Sequence, residues 1–336
     1  MNSFTAQKSL LATKPKWRLL ADLMKRIGII GAPCIDEIIA PNGQLLERQL
    51  GGVLYSWAAA ERIIRESKLD VQIVPLTFVS IPDAEYLQEF MSELTHFDFS
   101  AAPRTYDALS NRVKLRYHED NSRSEFCASI LPELKPEHLP ADMLASLDGL
   151  FVNMISGFDI SVETLKYIRA NTQAYIHLDI HALVLGPLSK DPAVPRIPRG
   201  VASWREWMTN VDSAQLNEME SDWFGVPDTT SEMELLTEIR ALNAQHGSPK
   251  TVIITRAERG ATAFDFGATK IWNKTPSTKP IENTTGSGDV FGAVYAISKT
   301  LGTSEEQSLW QAEELAGWNA GLRSLREILT AELKVG

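Results

Sequence analysis

The chain has 336 residues, of which 44% are hydrophobic and 23% charged, so it can bury a large core and its composition does not favour long disorder. Its formal net charge of −10 argues against general attraction to nucleic acids or anionic membranes. The only two cysteines, Cys34 and Cys127, exclude a disulfide framework and a four-cysteine zinc site, and we expect two buried thiols in a cytoplasmic protein.

Residues 1–25 are interpreted as an N-terminal extension, because their apolar pieces are too short and broken for a secretory signal. After them, short apolar runs bounded by Gly, Pro or polar residues predict buried strands over 26–33, 71–80, 149–157, 174–180, 213–217 and 250–257. Helical spacing of apolar residues predicts helices over 55–67, 83–94, 161–171 and 231–245. This alternation predicts an α/β fold, a three-layer α/β/α sandwich with a mostly parallel central sheet.

Two segments interrupt the alternation within the main domain, 26–336. Residues 36–52 have the pattern of a hairpin turning at Pro41-Asn42-Gly43, and residues 104–131 contain alternating strands around a polar turn. Together they predict a small β-sheet that stands off the main domain as a lid. Such an open sheet has an unprotected edge, so pairing through the lid into a homodimer is also expected.

The stretch "ENTTGSGDVFGAVYAI" (282–297) places a Gly-Ser-Gly turn directly before an apolar helix. The N–H groups at such a helix start lack partners and favour an anion such as a phosphate. Asp289 would be repelled by that anion unless it is the base for a hydroxyl that attacks a γ-phosphoryl group. The alternative is that Asp289 only caps the helix and the glycines only turn the chain.

"NTTGSGDVF" resembles the D-T-x-G-A-G-D signature of the PfkB-type carbohydrate kinases, the ribokinase-like family. Asn283 and Ser287 differ from the usual aspartate and alanine. The resemblance implies an enzyme that uses ATP and Mg²⁺ to phosphorylate a hydroxyl of a small-molecule sugar or nucleoside. It implies Asp289 as the catalytic base and Gly286, Ser287 and Gly288 as the anion hole.

Three further segments are similar to motifs of this family, in the expected order. Asp36 in "APCIDEII", with Gly51 and Gly52, is similar to the family's substrate site. Thr255 and Gly260 in "TRAERGATAF" are similar to its strand-loop next to the nucleotide. Asn319 in "AGWNAG" stands where the family often has an asparagine in the adenine pocket.

"LNEMES" resembles the family's N-x-x-E motif, which implies that Asn217 and Glu220 organise the magnesium ion through water. Mg²⁺ keeps several waters and few carboxylates, so an outer-shell glutamate is chemically reasonable. The residues alone leave a second interpretation open, in which Asn217 is a helix N-cap and Glu220 its capping-box partner.

Other functions remain as alternatives. His177, Asp179 and His181 alternate in "HLDIH" and would leave one face of a strand, as the ligands of a metal-dependent hydrolase do. A nucleoside kinase of the same fold is another alternative, because aromatic residues among Tyr55, Trp57 and 112–117 could stack on a base. The same residues could equally belong to the core or to a sheet. The third is a non-catalytic sugar- or nucleotide-binding protein of the same fold.

Overall fold

The structure is a computed structural model that describes residues 24–100, 104–118, 123–186, 194–275 and 284–331. Residues 1–23 of the expected N-terminal extension, and Asn283, lie outside these ranges. The strands are β1 (Lys25–Ile30), β2 (Pro33–Ile39), β3 (Leu45–Gly52), β4 (Val71–Leu76), β5 (Phe78–Ser80), β6 (Arg104–Tyr106), β7 (Asn111–Tyr117), β8 (Arg123–Ser129), β9 (Gly149–Asn153), β10 (Tyr175–Asp179), β11 (Ser213–Asn217), β12 (Thr251–Thr255), β13 (Ala261–Asp265) and β14 (Lys270–Lys274). The α-helices are α1 (Val53–Ser67), α2 (Ala84–Met91), α3 (Ala141–Ala145), α4 (Val162–Asn171), α5 (Trp204–Thr209), α6 (Glu218–Phe224), α7 (Glu232–His246), α8 (Ser287–Thr300), α9 (Glu305–Asn319) and α10 (Leu325–Thr330).

The central sheet has eight strands in the order β14-β13-β12-β11-β10-β9-β1-β4. The strands from β4 to β12 in this order are parallel, while β13 and β14 run antiparallel at one edge. The six strands predicted from apolar runs are these parallel strands, so the predicted α/β fold with a mostly parallel sheet is confirmed. No helix among the described residues has both the length and the apolar character that crossing a membrane requires.

Helices cover both faces of the central sheet, which gives two apolar cores. Successive side chains of a strand point to opposite faces, so Ile27 and Ile29 of β1 join one core and Ile30 joins the other. Helices α1, α2, α8, α9 and α10 supply the first core. Helices α3 to α7 supply the second. The predicted three-layer arrangement is therefore confirmed.

The apolar run at 71–80 was predicted as one strand but forms two. β4 ends at Leu76, and β5 leaves the central sheet to pair in parallel with β6. Phe78 turns toward the rings of Tyr106 and His138, with centroids 5.6 and 5.1 Å away. The apolar character of residues 71–80 does not indicate that the second half of the run pairs in a different sheet.

A second, four-stranded sheet, which we call the small sheet, has the order β3-β2-β7-β8. β2 pairs antiparallel with β3 and parallel with β7, and β7 pairs antiparallel with β8. The sheet therefore combines segments from both predicted insertions. It begins at Pro33 rather than at residue 36, and β6 lies outside it because β6 pairs with β5. Residues 119–122, within the predicted polar turn, lie outside the described ranges.

Candidate active site

The site lies at the carboxyl edge of the parallel strands. In a parallel sheet the carboxyl ends of the strands meet at one edge, where loops and helix starts carry polar groups. Four neighbouring strands each end in a polar residue: β9 at Asn153, β10 at Asp179, β11 at Asn217 and β12 at Thr255. The turn that precedes α8 approaches this edge, since Asn153 donates a hydrogen bond to the carboxylate of Asp289.

The glycine-rich turn before α8 has the geometry expected of an anion hole. Gly286 is the N-cap residue with a φ of 75°, in the left-handed region that favours glycine. A Cβ at Gly286 would lie 2.2 Å from the ring of Tyr55, so the turn rests directly on this ring. The backbone N–H of Ser287 donates to Thr284 O at 3.2 Å and closes the turn. The N–H groups of Gly288 and Asp289 are first-turn amides, which have no acceptor within a helix.

Asn319, predicted at the nucleotide, braces this turn. It lies at the end of α9 and is 3% exposed. Its Nδ2 donates to Thr285 O and to Ser287 Oγ, both at 3.1 Å. The last residue of α9 therefore fixes the backbone of the predicted anion hole.

Asp289, the predicted base, is buried in the first turn of α8. Its Oδ1 accepts a hydrogen bond of 2.6 Å from Asn153 Nδ2. Ser56 completes a small network, because it accepts from the same Nδ2 and donates to Asp289 O, both at 3.2 Å. Burial raises the pKa of Asp289 from 3.8 to about 7, against the lowering effect of the Asn153 hydrogen bond. A carboxylate with a pKa near neutrality can take a proton and release it again.

Two more buried carboxyl groups share this environment. Burial raises the pKa of Glu220 to about 8, with a further contribution from Asp289. Burial, then Glu220, then Asp289 raise the pKa of Asp179 well above its usual value. At neutral pH such a cluster retains protons, and a positive charge bound beside it would release them.

Asn217 and Glu220 form a complete capping box at the start of α6. Glu220 N–H donates to Asn217 Oδ1 at 2.9 Å, and Asn217 N–H donates to Glu220 Oε2 at 2.8 Å. Asn217 Nδ2 also donates to Glu220 Oε1 at 2.6 Å. The capping interpretation left open from the sequence is therefore correct for the local geometry. It holds Glu220 in the cluster with Asp179 and Asp289, so it does not compete with a role in binding an ion through water.

The predicted substrate residues lie where the small sheet joins α1. Asp36 is buried on β2, and a Cβ at Gly51 would lie 2.0 Å from Asp36 Oδ2, so only glycine leaves room for this carboxylate. Gly52 has a φ of 62° and caps α1. Helix α1 follows Gly52 directly, and its Ser56 donates a hydrogen bond to Asp289 O at 3.2 Å. The structure thus brings the predicted acceptor and base residues to the same region.

Thr255 and Gly260, predicted next to the nucleotide, lie at the β12–β13 connection. Thr255 pairs in register with Asn217, which places it beside the cluster described above. Gly260 has a φ of 86°, and a Cβ there would lie 1.8 Å from Lys274 O, so glycine is required. Ala257, where the family motif has its first glycine, adopts a left-handed φ of 47°.

Residues 191–331 match the family model described as "pfkB family carbohydrate kinase". This part of the chain is therefore similar to a pfkB family domain. The resemblance stated from the sequence is confirmed, and the matched range includes the predicted N-x-x-E, nucleotide-loop and GSGD segments of this domain. Among curated proteins, none matches the chain significantly.

Solved structures with the same fold extend the likeness over nearly the whole chain. A pyrophosphate-dependent kinase of the ribokinase family, solved with sulfate, has a TM-score of 0.67 at 15% identity and covers 92% of this chain and 100% of its own. The adenosine kinase of Sinorhizobium meliloti has a TM-score of 0.67 at 16% identity, covering 92% and 98%. The Arabidopsis thaliana ribokinase, solved with ribose and ATP, has a TM-score of 0.62 at 12% identity, covering 92% and 99%. At these identities the likeness establishes the fold alone.

The residues of "HLDIH" do not form a metal centre. His177 and Asp179 share one face of β10, but His181 lies beyond the strand in a 3₁₀ turn. His177 is fully buried, its ring stacked on Phe151 with centroids 5.5 Å apart, and burial lowers its pKa to about 3. The described residues contain no group of three or more His, Cys, Asp or Glu side chains that could hold a metal ion.

Tyr55 and Trp57, considered from the sequence as residues that stack on a base, are core residues. Trp57 packs against Phe97 and Phe99, with centroids 5.8 and 5.9 Å away. Tyr55 lies beneath Gly286 and is 2% exposed. The ring of Tyr55 therefore packs against the glycine-rich turn and is not exposed to a ligand.

Sequence reasoning did not single out Asn153 as a site residue and assigned no role to Gln215. Both are buried polar residues at or near the carboxyl end of a strand of the central sheet. That position was the available signal, because a polar side chain buried at this edge needs a partner from the site. Asn153 Oδ1 is itself buried without a hydrogen-bond partner among the described residues.

Proposed function

We propose that this protein is an ATP-dependent phosphotransferase that phosphorylates a hydroxyl of a sugar or nucleoside. The observation that carries the proposal is the position of Asp289. Its carboxylate is buried beside the first amides of α8, with a pKa raised by burial to about 7. A base of this pKa beside an anion-binding helix start suits transfer of a phosphoryl group to an alcohol.

The mechanism follows from the groups at this edge. Asp36 would orient the acceptor by hydrogen bonds to its hydroxyls. Asp289 would take the proton of the attacking hydroxyl as its oxygen approaches the γ-phosphorus, and Asn153 would hold the carboxylate in place through its 2.6 Å hydrogen bond. The first-turn amides of Gly288 and Asp289 would neutralise the charge that develops on the phosphoryl oxygens, whereas the Ser287 amide closes the turn. Closure of the small sheet over the acceptor would exclude water and so limit hydrolysis of ATP.

The donor set fits a magnesium ion bound through water. Mg²⁺ prefers oxygen ligands and retains several of its waters. Glu220 and Asp179 are buried carboxyl groups whose raised pKa values would fall beside a cation. Because Glu220 is held in the capping box by Asn217, it would meet the ion through water. Bound Mg²⁺ would supply positive charge to the phosphoryl oxygens of the donor.

ATP is proposed as the donor because Thr255, Gly260 and Asn319 match the family's nucleotide segments and because the similar A. thaliana ribokinase was solved with ATP. Because a structurally similar kinase is pyrophosphate-dependent, pyrophosphate is the alternative phosphoryl donor that should be compared with ATP. The burial of Tyr55 and Trp57 removes the stacking argument for a nucleoside, so a sugar is the favoured acceptor. A cytoplasmic location and a homodimer formed through the small sheet remain proposals of the same kind.

The test is a release assay with wild-type protein and Mg²⁺ on a panel of sugars, sugar phosphates and nucleosides. ADP release is measured with ATP, and phosphate release with pyrophosphate. We expect acceptor-dependent release with ATP and a loss of at least tenfold in kcat in Asp289→Asn. The absence of acceptor-dependent release with either donor would refute phosphotransfer, and an Asp289→Asn variant within tenfold of wild type would refute the assigned base.

A further inference from the structure

Gln215, near the end of β11, joins a neighbouring strand to the helix that carries Asp289. It is 2% exposed and pairs in register with Asp179 of β10. Its Nε2 donates to Asp179 Oδ2 at 3.2 Å and to Gly288 O at 3.1 Å. One side-chain amide therefore links the Asp179 carboxyl group to the backbone of the first turn of α8.

The other end of the same amide faces a buried histidine. Gln215 Oε1 and His177 Nε2 are both buried, and neither has a partner of normal hydrogen-bond geometry among the described residues. The ring of Phe151 lies beside both groups. His177 stacks on this ring with centroids 5.5 Å apart, and a Cβ at Gly292 would contact both this ring and Gln215 Oε1. His177 is two residues before Asp179 on β10, so its ring lies on the same face of the sheet as Gln215.

The hydrogen bonds beyond His177 assign its proton. Tyr175 OH donates to Ser213 Oγ at 2.8 Å, which leaves the Ser213 hydroxyl proton free to donate elsewhere. His177 Nδ1 lies 2.8 Å from Ser213 Oγ and would accept that proton. A neutral imidazole carries one N–H, which would then be on Nε2, and Gln215 Oε1 is a buried acceptor without another partner among the described residues. With the proton on His177 Nε2, the side-chain amide of Gln215 is oriented with its oxygen toward His177 and its NH₂ group toward Asp179 and Gly288.

A glycine inside α8 makes the room for this arrangement. A Cβ at Gly292 would lie 3.1 Å from Gln215 Oε1 and 2.5 Å from the ring of Phe151. Glycine within a helix is less favourable than alanine, so its presence here needs a reason. Close contact of α8 with Gln215 and Phe151 accounts for a glycine at this position.

We propose that Gln215, oriented by His177, is a positioning residue of the site, which holds Asp179 and the first turn of α8 in register with each other. The proposal rests on the proposed function, since the turn in question carries Asp289 and the predicted anion hole. A displacement of about 1 Å in such a constellation can lower the rate by about 10²-fold. Gln215 touches neither donor nor acceptor in this scheme and acts only through Asp179 and Gly288.

The kinetic test replaces Gln215 with methionine, which has a similar length but no N–H donor. The matched control is Thr251→Val, which removes an equally buried polar group from β12, where Thr251 Oγ1 donates to Glu305 at 3.2 Å far from the carboxyl edge. We expect Gln215→Met to lower kcat at least tenfold with the acceptor KM within twofold of wild type. Thr251→Val should lower the Tm by a similar amount but leave kcat at the wild-type value. Equal kcat values in the two variants would overturn the proposal.

The tautomer test does not require turnover. In ¹⁵N-labelled full-length protein, the signals of His177, assigned with a His177→Gln variant, should report a proton on Nε2 and an accepting Nδ1. Gln215→Met should change the Nε2 signal and leave the Nδ1 signal unchanged. A proton on Nδ1 would overturn the assigned order. If the wild type transferred no phosphoryl group, the proposed function would fail, while the tautomer would still decide whether His177 orients Gln215.

Discussion

Replacement of Asp289 by asparagine should increase stability at alkaline pH while it abolishes activity. Burial raises the pKa of this carboxyl group from 3.8 to about 7, a difference of about 3 pH units. Each unit corresponds to 1.36 kcal/mol, so ionised Asp289 lowers the free energy of unfolding by up to about 4 kcal/mol. Asparagine is not ionised, and its Oδ1 can still accept the hydrogen bond from Asn153 that Asp289 accepts at 2.6 Å.

The sign of this effect follows from the raised pKa. A carboxyl group with a higher pKa in the folded state stabilises the fold below pH 4, and that contribution is lost as the pH rises toward 7. Urea unfolding should therefore show a gain for Asp289→Asn of about 1 kcal/mol at pH 4.5, which is just above the unfolded-state pKa of 3.8, and of up to about 4 kcal/mol at pH 8. Asp148→Asn is the control, because Asp148 accepts hydrogen bonds from Lys25 Nζ and Arg26 N–H, and its loss should lower stability at pH 8. A gain absent at pH 8 would refute the argument that the Asp289 carboxylate is desolvated.

Four further outcomes are expected. Gly286→Ala should lower both Tm and kcat, because the new Cβ would meet the ring of Tyr55 at 2.2 Å; an unchanged Tm in thermal melts would contradict that contact. Ala257→Gly should raise the free energy of unfolding by about 1 kcal/mol in urea titrations, because the φ of 47° strains alanine, and a loss of stability would contradict this. Asn319→Leu should lower kcat about tenfold, because the turn loses its bracing donor; steady-state assays with unchanged kcat would exclude that role. kcat/KM should fall about tenfold per pH unit below pH 7 as Asp289 becomes protonated, and a flat pH profile would contradict its role as base.

Much of the fold follows from local patterns in the sequence. The runs at 26–33, 149–157 and 250–257 are short, contain β-branched residues and are bounded by Gly, Pro or polar residues, and each contains a strand of the central sheet. The run at 71–80 has the same local character, yet its second half pairs with β6, whose partner choice depends on packing far along the chain. Local apolar pattern therefore predicts where strands occur, but not which layer each joins.

In the candidate site, too, local features could be predicted from the sequence and long-range contacts could not. The left-handed φ of Gly286 could be expected from the chemistry of a helix start, because glycine alone adopts it without strain. The alternation of His177 and Asp179 correctly predicts a shared face, but the sequence does not reveal that aromatic rings and Gln215 occupy that face. The hydrogen bond between Asn153 and Asp289 joins residues 136 positions apart, and no local pattern predicts such a contact.

Helix α1 depends on a partner that is synthesised much later. Almost every residue from Val53 to Arg62 is buried, and α8 and α10 pack against this helix in the first core. About 220 residues separate the end of α1 from the start of α8. At about 5–20 residues per second, a ribosome would take roughly 10 seconds or more to supply α8. The part of α1 that α8 covers would be exposed for that time, so the nascent chain would offer a binding surface for chaperones until about its last sixth emerges.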